Sequence, residues 1–214
     1  MLKDTPKHQG KRNQLIDILA QKGITDTKVL EAMKHIPRHL FMDSTFEDHA
    51  YQDKAFPIAA GQTISQPFTV AFQTQLLEVK PTDKILEIGT GSGYQCALLV
   101  ALGAKVFSIE RQLELFKKTN LFLPKIGLKP KKLIFGDGYK GLPDEAPFDS
   151  IIVTAGAPFI PKALLGQLKI GGRLVIPVGD DPQIMTLLVR TDTKKFEKTT
   201  FGEFRFVPML QNKN

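Results

Sequence analysis

Three acids and a run of alternating glycines carry the first chemical signal in this 214-residue chain. Lys84-Ile85-Leu86-Glu87-Ile88 reads as a short apolar strand carrying an acid near its end, and Gly89-Thr90-Gly91-Ser92-Gly93 follows before a helical pattern begins at Gln95. Glycine has no Cβ, so a strand, a glycine loop and a helix in that order bring backbone N–H groups and a helix N-terminus close to a ligand. A nucleotide-like ligand is expected there. The spacing Gly-x-Gly-x-Gly departs from the dinucleotide form Gly-x-Gly-x-x-Gly and points away from NAD. A second acid, Glu110, closes the strand at 105–110 at about the ~20-residue separation at which a carboxylate reaches ribose hydroxyls. The third, Asp137, sits in Gly136-Asp137-Gly138 after a strand at 132–135, on the same sheet edge. There it can meet an adenine amino group or serve as an ordinary turn aspartate.

A separate stretch has a different character. Residues 56–67 crowd small, amide and hydroxyl side chains between two prolines with few charges, including Gly61-Gln62-Thr63-Ile64-Ser65-Gln66-Pro67. Solvated loops usually carry more charge, so this one is expected to lie against a partner or ligand. No Gly-x-Ser-x-Gly elbow surrounds Ser65, which argues against a hydrolase nucleophile. His35, His39 and His49 lack metal-ligand spacing and read as surface or packing histidines, so no metal is expected. The single cysteine, Cys96, falls on an apolar helix and permits neither an internal disulfide nor a cysteine zinc cage.

The elements that must hold these residues alternate between strand and helix. An amphipathic helix is expected at 11–22 and a short one after Thr25 or Asp26, ended by Pro37; residues 38–51 show no clear period. Helices are expected at 68–79, 95–102, 111–126 and 161–168. Strands are expected at 148–153 and 173–178, with Gly171-Gly172 as the turn before the latter, and at 184–190 and 199–207 as an antiparallel pair. This pattern predicts a doubly wound α/β sheet of seven strands, mostly parallel, with an N-terminal helical extension, antiparallel C-terminal strands and the ligand at the carboxyl edge. A single domain over 1–214 is expected, divided into an extension at 1–78 and a cofactor-binding part at 79–214.

Apolar residues make up 42% and charged residues 24%, the balance of a folded, water-soluble protein. The N-terminus has no apolar signal segment and no run approaches the ~20 apolar residues of a membrane span, so the cytoplasm is the expected compartment and no membrane partner is expected. The formal charge of +7 permits an anionic partner, but the lysines are scattered without aromatic interleaving.

The Gly-x-Gly-x-Gly run with Glu87, Glu110 and Gly136-Asp137-Gly138 resembles the class I S-adenosylmethionine-dependent methyltransferases. Residues 12–41, Ala50-Tyr51, the stretch 61–67, Leu86 to Gln95, Pro147-Phe148-Asp149 and 171–179 together resemble the protein-L-isoaspartate O-methyltransferases over nearly the whole chain. Gly61 to Pro67 is the most specific part, since general methyltransferases lack it. The resemblance implies methyl transfer to the stray α-carboxylate of L-isoaspartyl residues in damaged proteins and peptides, after which the ester cyclises to a succinimide that partly reopens to aspartate. It implies S-adenosylmethionine held by Glu87, Gly89, Thr90, Gly91, Ser92, Gly93, Glu110, Asp137 and Gly138, with S-adenosylhomocysteine as product. The acceptor falls to Gln62, Thr63, Ile64, Ser65, Gln66 and Pro67, with Val207 and Pro208 from the C-terminal segment and Ser65 in the active-site role. A monomer is expected. The rival is an RNA methyltransferase, which the basic charge favours; yet Thr154-Ala155-Gly156-Ala157-Pro158 stands where amino methylation of bases uses an Asn/Asp-Pro-Pro-aromatic run, and Cys96 is poorly placed for C5 chemistry.

Overall fold

The computed structural model describes residues 4–214. Its N-terminal part holds three helices, α1 (Pro6–Gln21), α2 (Thr27–His35) and α3 (Pro67–Leu77), with a two-stranded ribbon, β1 (Phe56–Pro57) and β2 (Thr63–Ile64), between α2 and α3. Helix α1 starts five residues before the position its apolar pattern predicts. Thr5 accepts from the His8 N–H while His8 Nδ1 accepts from the Thr5 N–H, a reciprocal cap with Pro6 in the first turn. The aperiodic 38–51 stretch forms two 3₁₀ turns, Arg38–Phe41 and Ser44–His49.

The remainder alternates as β3 (Lys84–Ile88), α4 (Tyr94–Ala101), β4 (Lys105–Glu110), α5 (Leu113–Lys125), β5 (Lys132–Phe135), β6 (Phe148–Val153), α6 (Lys162–Gly166), β7 (Leu168–Val178), β8 (Gln183–Arg190) and β9 (Phe196–Phe204). Seven strands form one sheet in the order β5-β4-β3-β6-β7-β8-β9. The first five run parallel and β8 and β9 antiparallel, as the sequence predicts. Chain order runs outward from β3 to β5 and then jumps to β6 on the other side of β3. That reversal opens a crevice at the carboxyl ends of β3 and β6, where open α/β sheets bind ligands.

Boundaries in the C-terminal half differ from expectation. The helix at 161–168 shrinks to α6, and β7 begins at Leu168, ahead of Gly171-Gly172; the expected turn survives inside it as a break in register, since Phe148 pairs with Leu168 but Ser150 with Arg173, and Gly171 has φ +80°. Strand β9 ends at Phe204, three residues before the predicted limit. The chain leaves the sheet there and runs across Gly156, whose N–H donates to the Val207 carbonyl while its own carbonyl accepts from Met209.

Strand alternation sorts the core. Ile85, Val106, Ile152 and Val175 face α1–α4 in one apolar cluster, and Leu86, Ile88, Phe107, Ile151 and Leu174 face Leu164 and Met209 in another. The first cluster is continuous from Leu15 and Val29 of the extension into the sheet, so the extension has no core of its own. No helix among the described residues is long and apolar enough to cross a membrane.

Candidate functional site

The crevice is lined by residues from distant parts of the chain. Gln62, Thr63, Ile64 and Ser65 come from the ribbon; Gly89, Thr90, Gly91 and Ser92 from the turn after β3; Glu110 and Arg111 from the end of β4. Gly138, Thr154 and the segment from Val207 to Leu210 complete it. Gly89 has φ +96°, and a Cβ there would lie 2.6 Å from Thr154 Oγ1, which donates to the Gly89 carbonyl. Only glycine lets the ends of β3 and β6 close to this separation.

The loop does not offer a row of free backbone donors. Gly89 and Thr90 donate to the Ile109 carbonyl, Gly93 to that of Thr90, and Gly91 to Glu110 Oε2 at 2.8 Å. Its glycines therefore supply close approach, and the donors serve the protein. Glu110 is nearly buried; its Oε1 accepts from the Gln112 N–H at 2.8 Å. Each carboxylate oxygen keeps a further lone pair, so a diol can donate to both. The apolar walls Ile88 and Ile109 beside this acid suit a flat base and a ribose.

Three expected contacts fall elsewhere. Glu87 is fully buried and points away from the crevice: it shares a strand face with Ile85, under α4, where Ser108 donates to its Oε2 and Cys96 lies against it. Burial in the absence of a cation pushes its carboxyl up to about 8 and raises the Cys96 thiol well above its usual range. Asp137 caps a turn, accepting from Tyr139 at Oδ1 and from the Asn212 N–H at Oδ2, and its carboxylate does not line the crevice. Gly93 starts α4 with φ +86°, against Thr119 and Leu123.

The ribbon places Ser65 half-buried at the mouth of the crevice, and among the described residues its hydroxyl makes no hydrogen bond. Ile64 is buried and pairs with Phe56, Gln62 accepts from the Ile58 N–H, and Pro67 opens α3. The residue that fixes this geometry was not singled out from sequence. Asp53 Oδ1 accepts from the Phe68 N–H at 2.8 Å and Oδ2 from Gln66 Nε2 at 3.0 Å and Lys22 Nζ at 2.6 Å. It caps α3 from 15 residues away, a tertiary contact with no local pattern.

The histidines divide. His35 and His49 are exposed, whereas His39 is buried, its ring centroid 3.9 Å from that of His8 and its Nδ1 2.7 Å from the Tyr51 hydroxyl. Asp4, His8 and His39 bring ligand-type atoms within 4.8 Å of one another, but Arg12 donates to both Asp4 oxygens, and its charge opposes a cation there.

A seven-stranded sheet of this order, with a glycine turn after its first parallel strand and an acid closing the next, defines a class I S-adenosylmethionine-dependent methyltransferase. Comparison with known proteins narrows the class. The sequence model of the protein-L-isoaspartate(D-aspartate) O-methyltransferases matches residues 10–214. Proteins named protein-L-isoaspartate O-methyltransferase from Flavobacterium psychrophilum and Flavobacterium johnsoniae are 70% and 71% identical to this chain, each over the full length of both. A solved structure of that name superposes with TM-score 0.85 at 27% identity, covering 94% of this chain and 66% of its own. A Plasmodium falciparum structure in complex with S-adenosyl-L-homocysteine gives 0.82 at 24%, which speaks for the fold. The chain belongs to the protein-L-isoaspartate(D-aspartate) O-methyltransferase family. Its reaction is methyl transfer from S-adenosylmethionine to L-isoaspartyl residues of damaged proteins, the first step of their repair.

Proposed function

We propose that the crevice divides the reaction between two halves, with the methyl donor on the sheet side and the isoaspartyl carboxylate on the ribbon side. The observation that carries this is the Ser65 hydroxyl, unpartnered among the described residues, at the same crevice as Glu110. Glu110 accepts the ribose hydroxyls, and Gly89, Thr90, Gly91 and Ser92 let the methionine portion lie close to the backbone. Gly138 contributes at the base through its backbone position. Glu87 and Gly93 act from behind the loop, and Asp137 acts by shaping the turn that carries Gly138.

The acceptor needs no general base. An α-carboxylate has a reference pKa near ~3.5 and is already ionised at neutral pH, so an oxygen lone pair can displace the methyl from the sulfonium directly. The protein's task is alignment and exclusion of water. Ser65 donates a hydrogen bond to the carboxylate oxygen that does not attack, and Thr63, Ile64 and Gln62 close the ribbon over the donor. Val207 and Pro208, held against Gly156, form the opposite wall. Gln66 and Pro67 fix the ribbon to α3. S-adenosylmethionine supplies the electrophilic methyl when bound.

One domain spanning 1–214, acting as a cytoplasmic monomer on isoaspartyl proteins and peptides and not on nucleic acid, is the reading these features support. An isoaspartyl peptide should accept labelled methyl while its aspartyl twin does not. Equal labelling of the two, or labelling of RNA alone, would overturn the assignment.

A further inference from the structure

A second cleft opens directly beside the first. It has a volume of about 690 Å³, within the ~300–1,000 Å³ of ligand clefts, and shares Thr63, Ser65, Thr154 and Val207 with the crevice that holds the donor. Its floor is aromatic. Phe68 and Phe72 from α3 and Phe204 from β9 stack on one another at centroid distances of 5.4 to 6.5 Å, with Phe206 beside them. All four rings are only partly buried. The floor is rigidly held: Asp53 caps α3 at Phe68, Phe201 meets Phe72 edge-on, and the Phe206 N–H donates to the buried Gln183 side chain.

We propose that this cleft seats an apolar or aromatic side chain of the substrate polypeptide near its isoaspartyl residue, making Phe68, Phe72 and Phe204 specificity-determining residues. The inference rests on the reading that the acceptor carboxylate lies at Ser65. An isoaspartyl residue inside a protein carries chain on both sides, and that chain must leave the transfer point past the residues the two clefts share. Charge does not select what enters: the rim carries Glu203 and Arg205 together, and Arg205 is paired with exposed Asp181 at 3.4 Å. Selection therefore falls to the floor, where a ring or aliphatic chain replaces water on four phenylalanines.

The test moves a single phenylalanine along an otherwise serine-rich isoaspartyl peptide and reads kcat/KM at each position. One position should raise kcat/KM about tenfold, mainly through KM, the gain expected from burying part of one ring. In Phe204→Ser that gain should vanish, and in Phe204→Leu part of it should return. A flat series in the wild-type protein, or an unchanged gain in Phe204→Ser, would overturn the proposal. Direct binding of dye-labelled aspartyl peptides to the wild-type protein separates the cleft from the chemistry. Tighter binding of the phenylalanine peptide than of its serine counterpart supports the cleft even if no isoaspartyl peptide is labelled, an outcome that overturns the acceptor reading alone; equal binding counts against the cleft.

Discussion

The Ser108 hydroxyl donates to Glu87 Oε2 at 2.5 Å, and Thr90 Oγ1 lies 2.6 Å from the same Ser108 oxygen. A buried carboxyl is thus linked through one hydroxyl to the glycine loop after β3, while its Oε1 has no partner among the described residues. Burial raises its pKa from 4.5 to about 8, with the Glu110 charge adding to the rise. The folded state therefore holds this proton more tightly than the unfolded chain. Stability from this group is fully present below pH 4.5 and is lost as pH rises through about 8. Glu87→Gln keeps an acceptor for Ser108 and removes the titration. Urea unfolding between pH 6 and 9 should show the wild-type protein losing stability more steeply than the variant; parallel curves would mean that Glu87 is ionised in the fold.

Asp53 couples the ribbon to α3 through Gln66 and the Phe68 N–H. Asp53→Ala removes a helix cap, at a cost of about 1 kcal/mol, and frees the segment that carries Ser65. Steady-state kinetics should show kcat/KM for an isoaspartyl peptide falling about tenfold or more, with S-adenosylhomocysteine binding nearly unchanged. Weakening of both to the same degree would assign Asp53 to general stability.

The sheet was legible because four of the five parallel strands are apolar runs closed by a glycine or an acid, with Thr154 closing β6, and the crevice because those closing residues share one edge. Glu87 faces away from the crevice for a reason the sequence contained: with a period of two, residue 87 follows Ile85 onto the face that packs under α4, while the loop turns away at Gly89. Thr5 and His8 concealed the start of α1, because histidine replaces the usual Glu or Gln of the reciprocal cap. Asp53 and the aromatic floor were invisible because they form between segments far apart in the chain, and no local period marks such a contact.

Glu110 is held by two backbone N–H groups, both 2.8 Å from its oxygens, so its orientation is set before any ligand arrives. Glu110→Ala removes the proposed ribose acceptor and also leaves the Gly91 and Gln112 N–H groups without their partner. Calorimetry should show S-adenosylhomocysteine binding weakened about 10- to 100-fold, the range for losing one or two hydrogen bonds to a charged group. Glu110→Gln should recover part of the loss, since the amide oxygen can serve one of the two N–H groups.

The role proposed for Ser65 separates binding of the donor from transfer. Its hydroxyl has no partner among the described residues, so Ser65→Ala leaves no buried group there unsatisfied and costs the fold little. If the hydroxyl orients the carboxylate in the transition state, kcat should fall about 10²-fold, as for loss of one preorganised donor, with S-adenosylhomocysteine affinity nearly unchanged. Ser65→Thr should restore part of kcat, because the hydroxyl remains while the added methyl crowds the ribbon. A wild-type kcat in Ser65→Ala would show that the ribbon acts by shape alone, with Ile64 and Thr63 excluding water and the carboxylate aligned by its own chain.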